Sequence, residues 1–227
     1  MDTRTIFLFS IALVVLLVAV YLVTSQLFWR ISLRAGYQTV RLPVQRVQKY
    51  RNSKQEHAFT VDYQDGSSEP KRIWITKGDN SSVRPKEVAE AEAIIHTHPK
   101  MTRATTPLET AYENELRERP SAADLRHLDF SSRDQEFVMT PSGKVIKYEK
   151  TPRAKRGFFG KIRSSFRLSR AELSSQETVI QNAEVNTPGD AKQLASESNR
   201  LFLKEARREG FRVTRLKGDT TKLEVKD

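Results

Sequence analysis

The sequence predicts an α/β fold in which helices flank a mixed sheet, with a transmembrane helix at the N-terminus. Residues 5–29 contain no charged side chain, short strand-like runs alternate with helical segments in the middle, and basic residues collect on both sides of that middle part. We therefore divide the 227 residues into five segments: a transmembrane anchor (1–29), a basic juxtamembrane linker (30–55), a folded domain (56–150), a basic amphipathic segment (151–170) and a C-terminal helix and hairpin extension (171–227).

Residues 5–29 have the composition of a membrane-spanning helix. The run IFLFSIALVVLLVAVYLV is almost wholly apolar, and about 20 such residues cross the hydrocarbon core of a bilayer. A cleavable signal peptide is the alternative, but its apolar region would be shorter and would follow a basic start. We expect an uncleaved single-pass anchor.

The distribution of charge indicates on which side of the membrane the domain lies. The formal net charge is +11, and the basic excess lies in residues 30–55 and 150–170, neither of which contains an acidic residue. Basic residues that flank a span stay in the cytoplasm, so we expect the domain on the cytoplasmic side. A nucleic-acid-binding domain would carry positive charge on the folded module itself, and we expect no nucleic-acid partner.

The second basic stretch combines aromatic and basic side chains. Phe158, Phe159, Ile162 and Phe166 can share one helical face, with basic side chains around it. Two interpretations remain open, a segment that lies on an anionic inner leaflet and a solvated basic linker.

Alternating apolar residues and turn signals predict the elements of the domain and its extension. The predicted strands are 57–63, 71–76, 93–98, 136–140, 144–148, 211–216 and 222–225, the last two as a hairpin. The predicted helices are 85–91, 121–129 and 190–208, and the polar residues 171–189 are expected to be a flexible connector.

The residues that carry chemistry are His96, His98 and Asp124. Residues two apart on a strand point the same way, so both imidazoles lie on one face. A carboxylate from another element, such as Asp124 in the first turn of the next helix, would complete three ligands to a divalent metal and leave a fourth position for water. Metal-activated water beside a carboxylate base is the usual equipment for hydrolysing an amide.

Simpler interpretations of the same residues exist. Ser121 and Asp124 fit a capping box that only satisfies helix N–H groups, and two histidines on a strand can be solvated. The chain has no cysteine, which excludes disulfides, thiolate metal sites and a cysteine nucleophile, so a transition metal must be held by imidazole and carboxylate groups.

The motif HTHP at 96–99, followed by PSAAD at 120–124, resembles the sequence motif of the JAMM/MPN+ (JAB domain) zinc metalloproteases, in particular their bacterial JAB-like branch. The later EFVMTPSGKVIKYE resembles the strand pair that follows this motif there. The resemblance covers residues 50–150. It implies a JAB/MPN-like fold and Zn²⁺ held by His96, His98 and Asp124, with Ser121 helping to bind the oxyanion during hydrolysis of a peptide or isopeptide bond.

The family's general base is an upstream glutamate. We favour Glu56, because it stands at the start of the first strand as the family pattern has it; the other upstream candidates are Glu69, Glu87, Glu90 and Glu92.

Residues 99–120 are a longer separation between the two motifs than the family pattern has, and we expect them to form a lid or a partner-docking loop over the cleft. The scheme does not need His57 or His127, which we interpret as a strand residue beside the site and a helix-surface residue.

The leading hypothesis is therefore a membrane-anchored, zinc-dependent metallopeptidase that acts on a peptide or protein substrate. The alternatives are a non-catalytic JAB-like binding or assembly module tethered to the membrane, and a scaffold in which the basic segments and the C-terminal extension act.

Overall fold

The computed structural model describes residues 37–40, 44–63, 70–88, 93–101, 106–154, 156–181, 185–216 and 223–226. The predicted anchor, residues 1–29, lies outside them, as does part of the basic linker. None of the described helices is both long and apolar enough to cross a bilayer. The elements that position the candidate site belong to one compact unit, Thr39–Val225.

The described residues form strands, helices and one short 3₁₀ turn. The strands are β1 (Tyr37–Val40), β2 (His57–Tyr63), β3 (Pro70–Lys77), β4 (Ala93–Thr97), β5 (Gln135–Met139), β6 (Val145–Lys150), β7 (Phe211–Arg215) and β8 (Leu223–Lys226). The helices are α1 (Val44–Gln48), α2 (Pro107–Leu116), α3 (Ala122–Phe130), α4 (Phe158–Gln181) and α5 (Pro188–Arg208), and the 3₁₀ turn is Pro152–Ala154.

Six strands form a mixed sheet in the order β3-β2-β4-β5-β6-β7. The pair β4 and β5 is parallel, and the other neighbours are antiparallel. Since a parallel pair requires a crossover connection, the chain between β4 and β5 leaves the sheet, and it forms α2 and α3 there. The interior strands β2, β4 and β5 are buried along their whole length.

Helices cover both faces of this sheet, which confirms the predicted mixed sheet flanked by helices. Phe137 and Met139 of β5 belong to the core cluster that includes the apolar side chains of α1. Val138, between them, belongs to the cluster formed with α3, α4 and α5, as the two-residue period of a strand requires. His96 is in register with Val138, so it faces α3.

The polar residues after 170 do not form the flexible connector that the sequence predicts. Residues 171–181 continue helix α4 without a break. The side chains that this helix buries include Ser164 and Ser175, and a helix that buries small polar residues shows a weak apolar pattern. That is why the prediction was wrong there.

The predicted C-terminal hairpin is also wrong. Strand β7 pairs with β6 at the edge of the six-stranded sheet, whereas β8 pairs with β1 in a separate two-stranded sheet. Phe211 at the start of β7 is buried in the core cluster under α5. The C-terminal segment therefore contributes a strand to the main sheet.

Residues 85–88 of the predicted short helix 85–91 are not helical, and the remaining three lie outside the described residues. The hydroxyl of Thr60 on β2 donates a hydrogen bond of 2.8 Å to the carbonyl oxygen of Lys86. This bond ties the segment to the sheet, and a local sequence pattern does not reveal such a long-range contact.

Candidate metal centre

Three side chains from two separate parts of the chain meet above the sheet. The Nε2 atoms of His96 and His98 lie 3.2 Å apart. One carboxylate oxygen of Asp124 lies 3.2 Å from Nε2 of His96, and the other lies 3.3 Å from Nε2 of His98. These residues are the one group among the described residues with the ligand types and spacing to hold a metal ion. The three predicted ligands are therefore brought together.

Strand β4 and its continuation position the two imidazoles. His96 is in β4, and the backbone N–H of His98 donates 2.8 Å to the carbonyl oxygen of Met139, so the chain still follows β5 one residue beyond the strand. Both rings are buried, with 4% and 6% exposure of the residues. Their orientation is thus fixed by the interior of the sheet.

The N-terminus of α3 positions the carboxylate. Ser121 is the N-cap: its side chain accepts from the backbone N–H of Asp124 at 3.1 Å, and its own backbone N–H and hydroxyl donate to Asp124 Oδ2 at 2.7 and 2.9 Å. The capping box that we considered as the simpler interpretation is therefore present together with the metal-ligand geometry. The cap holds Oδ2 so that the carboxylate faces the imidazoles.

A carbonyl group determines which nitrogen of His98 is free. Nδ1 of His98 lies 3.0 Å from the carbonyl oxygen of Arg117, and because a carbonyl only accepts, Nδ1 carries the proton. In the neutral ring this leaves Nε2 with its lone pair toward the site. Metal-binding histidines are commonly oriented by this kind of second bond.

The charges in this cluster are strongly coupled. Burial disfavours a charge on His96, but the adjacent Asp124 carboxylate outweighs burial and raises the pKa of His96 to about 9. Burial acts against ionisation of Asp124 as well, and His96 beside it nevertheless holds the pKa of that carboxyl well below its usual range. The carboxylate is thus kept negative, which favours a cation between the three groups.

Glu56 lies beside the ligands but is not one of them. It directly precedes β2, is 6% exposed, and lines the same cavity as the ligands. Burial raises the pKa of its carboxyl, against the opposing effect of positive charge on His98 and His96. Of the other glutamates considered, Glu87 is bound to Arg133, and residues 69, 90 and 92 lie outside the described residues.

The ligands open on a cavity of about 280 Å³. Its walls come from residues 81–85 after β3, from α2 and Arg117, and from Glu56. This volume lies near the lower end of pockets that hold small ligands. A cavity of this size can hold a few side chains of an extended peptide segment but not a folded domain.

The segment between the two motifs is docked against the fold over its described residues. Helix α2 begins at a Thr106 N-cap, and the side-chain amide of Asn199 on α5 donates 2.7 Å to the carbonyl oxygen of Glu115. Residues 106–120 therefore form part of the cavity wall, and residues 102–105 lie outside the described residues.

Sequence reasoning missed a polar cluster on the far wall of the cavity. Glu136 on β5 is 1% exposed, and its carboxylate accepts from Tyr148 Oη at 2.9 Å and contacts His127 Nδ1 at 3.1 Å. The Tyr148 ring packs edge-on against His96, with centroids 6.3 Å apart. His127 is thus tied to the site wall, with its side chain 33% exposed, rather than being a helix-surface residue. Its position three residues after Asp124, on the same helix face, was the available signal.

A second missed group anchors the start of α3. Arg119 is 3% exposed and donates to Glu172 at 2.8 Å and to Asn199 at 2.7 Å. The Glu172 carboxylate also accepts from the backbone N–H of Ala122. This network joins α3 to α4 and α5, and it fixes the helix end that carries Asp124. Nothing in the local sequence distinguishes Arg119 from the solvated arginines near it.

No protein-family model, curated protein or solved structure that was compared with the chain gives a significant match.

Proposed function

We propose that the protein is a membrane-anchored, zinc-dependent hydrolase of peptide or isopeptide bonds, of the JAMM type that its motifs resemble. One observation carries the proposal: His96, His98 and Asp124 converge on one point although 22 residues separate the second histidine from the helix cap. The two imidazole Nε2 atoms lie 3.2 Å apart, close to the spacing of about 3.3 Å that zinc bonds of about 2.0–2.1 Å give two tetrahedral ligands. One Asp124 oxygen lies 3.2 Å from His96 Nε2 and the other lies 3.3 Å from His98 Nε2, so the carboxylate is close to both.

The donor set supports zinc in particular. Two imidazoles and one carboxylate, with a fourth position open to a cavity, are the protein ligands of several catalytic zinc sites. When bound, zinc acts as a Lewis acid and makes water acidic near neutral pH. The same donors also suit non-haem iron. If metal analysis found iron instead of zinc, the proposal of a zinc-dependent hydrolase would be contradicted.

Glu56 is the residue that we assign as general base. Glu56 lines the cavity together with the three ligands, and a buried carboxyl with a raised pKa takes and returns a proton more readily near neutral pH than an exposed one. In this role Glu56 would accept the proton of the attacking water and later deliver it to the leaving amine.

Ser121 is the residue that we assign to oxyanion binding. Its hydroxyl lines the cavity but donates to Asp124 in the structure, so the hydroxyl must exchange that bond to donate to substrate. This engagement of Ser121 favours the second candidate function, a metal-stabilised JAB-like binding module without hydrolytic activity.

The membrane part of the proposal rests on residues 1–29 and on the basic residues after them. A single apolar span followed by basic residues supports a domain on the cytoplasmic side. Substrates in this arrangement are cytoplasmic peptides or proteins close to the membrane.

The experiment compares the full chain in detergent with its Glu56→Gln variant. Both are assayed for zinc and for cleavage of a library of internally quenched peptides and lysine-linked isopeptides. We expect equal zinc content and a loss of hydrolysis of at least about 10²-fold in the variant. Glu118→Gln is the matched control, because Glu118 is a half-buried glutamate that binds the Ser142 turn and not the cavity. Unchanged hydrolysis in Glu56→Gln would contradict the assignment of the base, and zinc without any hydrolysis in the unmodified chain would favour the binding module.

A further inference from the structure

Helix α4 presents an unpartnered apolar stripe to solvent. The stripe consists of Phe158, Phe159, Phe166 and Leu173, which are 64%, 84%, 74% and 61% exposed. Single exposed apolar residues are ordinary, but four large ones on the same element indicate an interaction surface. The seven-residue spacing from 159 to 166 to 173 keeps the row on one side of the helix.

The opposite side of α4 is buried against the domain. Leu168 is 0% exposed and Ser175 is 5% exposed. Each lies two residues after a member of the stripe, Phe166 and Leu173, and residues two apart on a helix point in nearly opposite directions. The fold therefore holds the stripe outward, and the stripe cannot be covered by rotation of the helix.

A neighbouring aromatic ring extends the stripe beyond α4. Phe130 at the end of α3 is 47% exposed and packs edge-on against Phe158, with ring centroids 6.3 Å apart. The ammonium group of Lys161 lies 5.8 Å from the Phe130 ring centroid. Aromatic and cationic groups thus alternate on one outward surface.

Basic side chains flank the stripe. Arg163, Arg167 and Arg170 are exposed on α4, and among the described residues Arg163 and Arg170 form no ion pair. Arg167 and Arg170 also line a groove that contains three further arginines and two glutamates, and Glu209 pairs there with Arg156 and Arg167. Residues 150–170 contain eight basic residues and no acidic one, so this surface complements an anionic partner.

We propose that this surface of α4 lies on an anionic lipid bilayer. A helix with protruding phenylalanines between arginines is typical of segments that insert rings at the headgroup boundary and bind anionic lipid. The predicted span in the same chain keeps a bilayer within reach. A second copy of the chain fits less well, because a symmetric pairing of stripes would bring the flanking arginines of the two copies together.

The absence of cysteine in the chain allows a direct test at single positions. The full chain carrying Ser174→Cys, an exposed position next to the stripe, is labelled with a polarity-sensitive fluorophore and reconstituted. The vesicles contain phosphatidylcholine alone or phosphatidylcholine mixed with phosphatidylserine. The control label is Glu197→Cys, at an exposed position on α5.

We expect the emission of the label at 174 to shift to the blue when phosphatidylserine is present, and the label at 197 to stay unchanged. The shift should decrease with added salt. It should be lost in Phe159→Ser/Phe166→Ser and, independently, in Arg163→Gln/Arg170→Gln. These residues are exposed, so thermal unfolding should be nearly unchanged and would verify that both variants fold.

Two results would overturn the proposal. One is equal emission from the label at 174 in both lipid mixtures. The other is a shift that depends on the density of protein in the vesicle and not on phosphatidylserine, which would assign the stripe to contact between copies of the chain. Neither result bears on the hydrolase proposal, because zinc content and peptide cleavage are measured separately.

Discussion

The carbonyl oxygen of Arg117 lies 3.0 Å from Nδ1 of His98. The segment between the two motifs thus supplies the hydrogen-bond acceptor that turns a candidate ligand toward the site. Arg117 is itself held, since its guanidinium donates to the carbonyl oxygens of Asn80 and Pro99. The long separation between the motifs is therefore part of the construction of the centre.

Loosening this segment should weaken metal binding. The side-chain oxygen of Asn114 on α2 accepts 2.8 Å from the backbone N–H of Met101 and so ties α2 to the chain just after His98. We expect Asn114→Ala to reduce zinc affinity by about tenfold, at the lower end of what loss of an orienting partner costs. Titration of the purified chain against a fluorescent zinc chelator measures this. Thr110→Ala is the control, because among the described residues the Thr110 hydroxyl bonds only to the Thr106 carbonyl of its own helix end. Equal affinities for both variants would contradict this role of the segment.

Removing the cap that orients Asp124 should affect both stability and metal. Ser121→Ala should lower the free energy of unfolding by about 1 kcal/mol, as loss of an N-cap does, and lower zinc affinity by about 10–100-fold. Thr187→Ala removes a capping box of the same type from α5, where Thr187 and Asp190 are bound to each other. It should show the stability loss alone. A similar zinc affinity in both variants, measured by the same titration, would mean that the cap does not orient the ligand.

The buried arginine under α3 should be among the most sensitive positions of the fold. Arg119→Met leaves the Glu172 carboxylate, which is 25% exposed, without its cation and the Asn199 side-chain oxygen without its donor. Loss of a hydrogen bond to a charged group costs about 1.5–3 kcal/mol. Denaturation in urea measures the change. Arg200→Met is the matched control, since Arg200 is 71% exposed and, in the part of the chain that the structure describes, pairs only with Glu197; it should change stability by about 0.5 kcal/mol or less. Similar effects of the two substitutions would refute the network.

Lys150 should make the stability of the domain depend on pH in the alkaline range. Burial, with Lys161 nearby, lowers its pKa to about 8, whereas in the unfolded chain a lysine titrates near 10.4, at about its ordinary value. Between these two values the unfolded state binds more protons, so the free energy of unfolding contributed by Lys150 rises with pH; below about pH 8 it is constant.

The comparison is between the unmodified chain and Lys150→Met, in urea from neutral pH to pH 10. The difference in free energy of unfolding between them should grow with pH by on the order of 1–3 kcal/mol in favour of the unmodified chain. Lys192→Met, at a side chain that is 68% exposed, should give no such trend. Parallel pH curves for Lys150→Met and the unmodified chain would exclude the effect.

The sequence predicted the elements best where the local pattern and the tertiary environment agree. The predicted strand pair 136–140 and 144–148 differs from β5 and β6 by two residues or fewer at each end, because Pro141 to Gly143 form a turn in which Gly143 has a φ of 83°. Helix α3 was predicted from the same residues that cap it. The prediction for the C-terminal part of helix α4 was wrong, because the polar side chains that this helix buries give it the sequence pattern of a solvated segment.

The ligands of the candidate site could be predicted from the sequence, but the residues that hold these ligands in position could not. His96, His98 and Asp124 follow from strand periodicity and helix capping, which are local properties of the chain. Glu136 and Arg119 act through partners far away in sequence, 12 residues for Glu136 and Tyr148 and 53 for Arg119 and Glu172. Such pairs can be identified only once the strand order of the sheet and the packing of the helices are known.

The metal content of the purified full chain tests the central claim most directly. After equilibration with zinc and dialysis, elemental analysis should find one zinc ion bound per chain in the unmodified protein and none in His98→Ala or Asp124→Asn. The control Glu118→Gln should retain the ion. A chain that retains no metal, or a His98→Ala variant with unaltered metal content, would contradict the assignment of the centre.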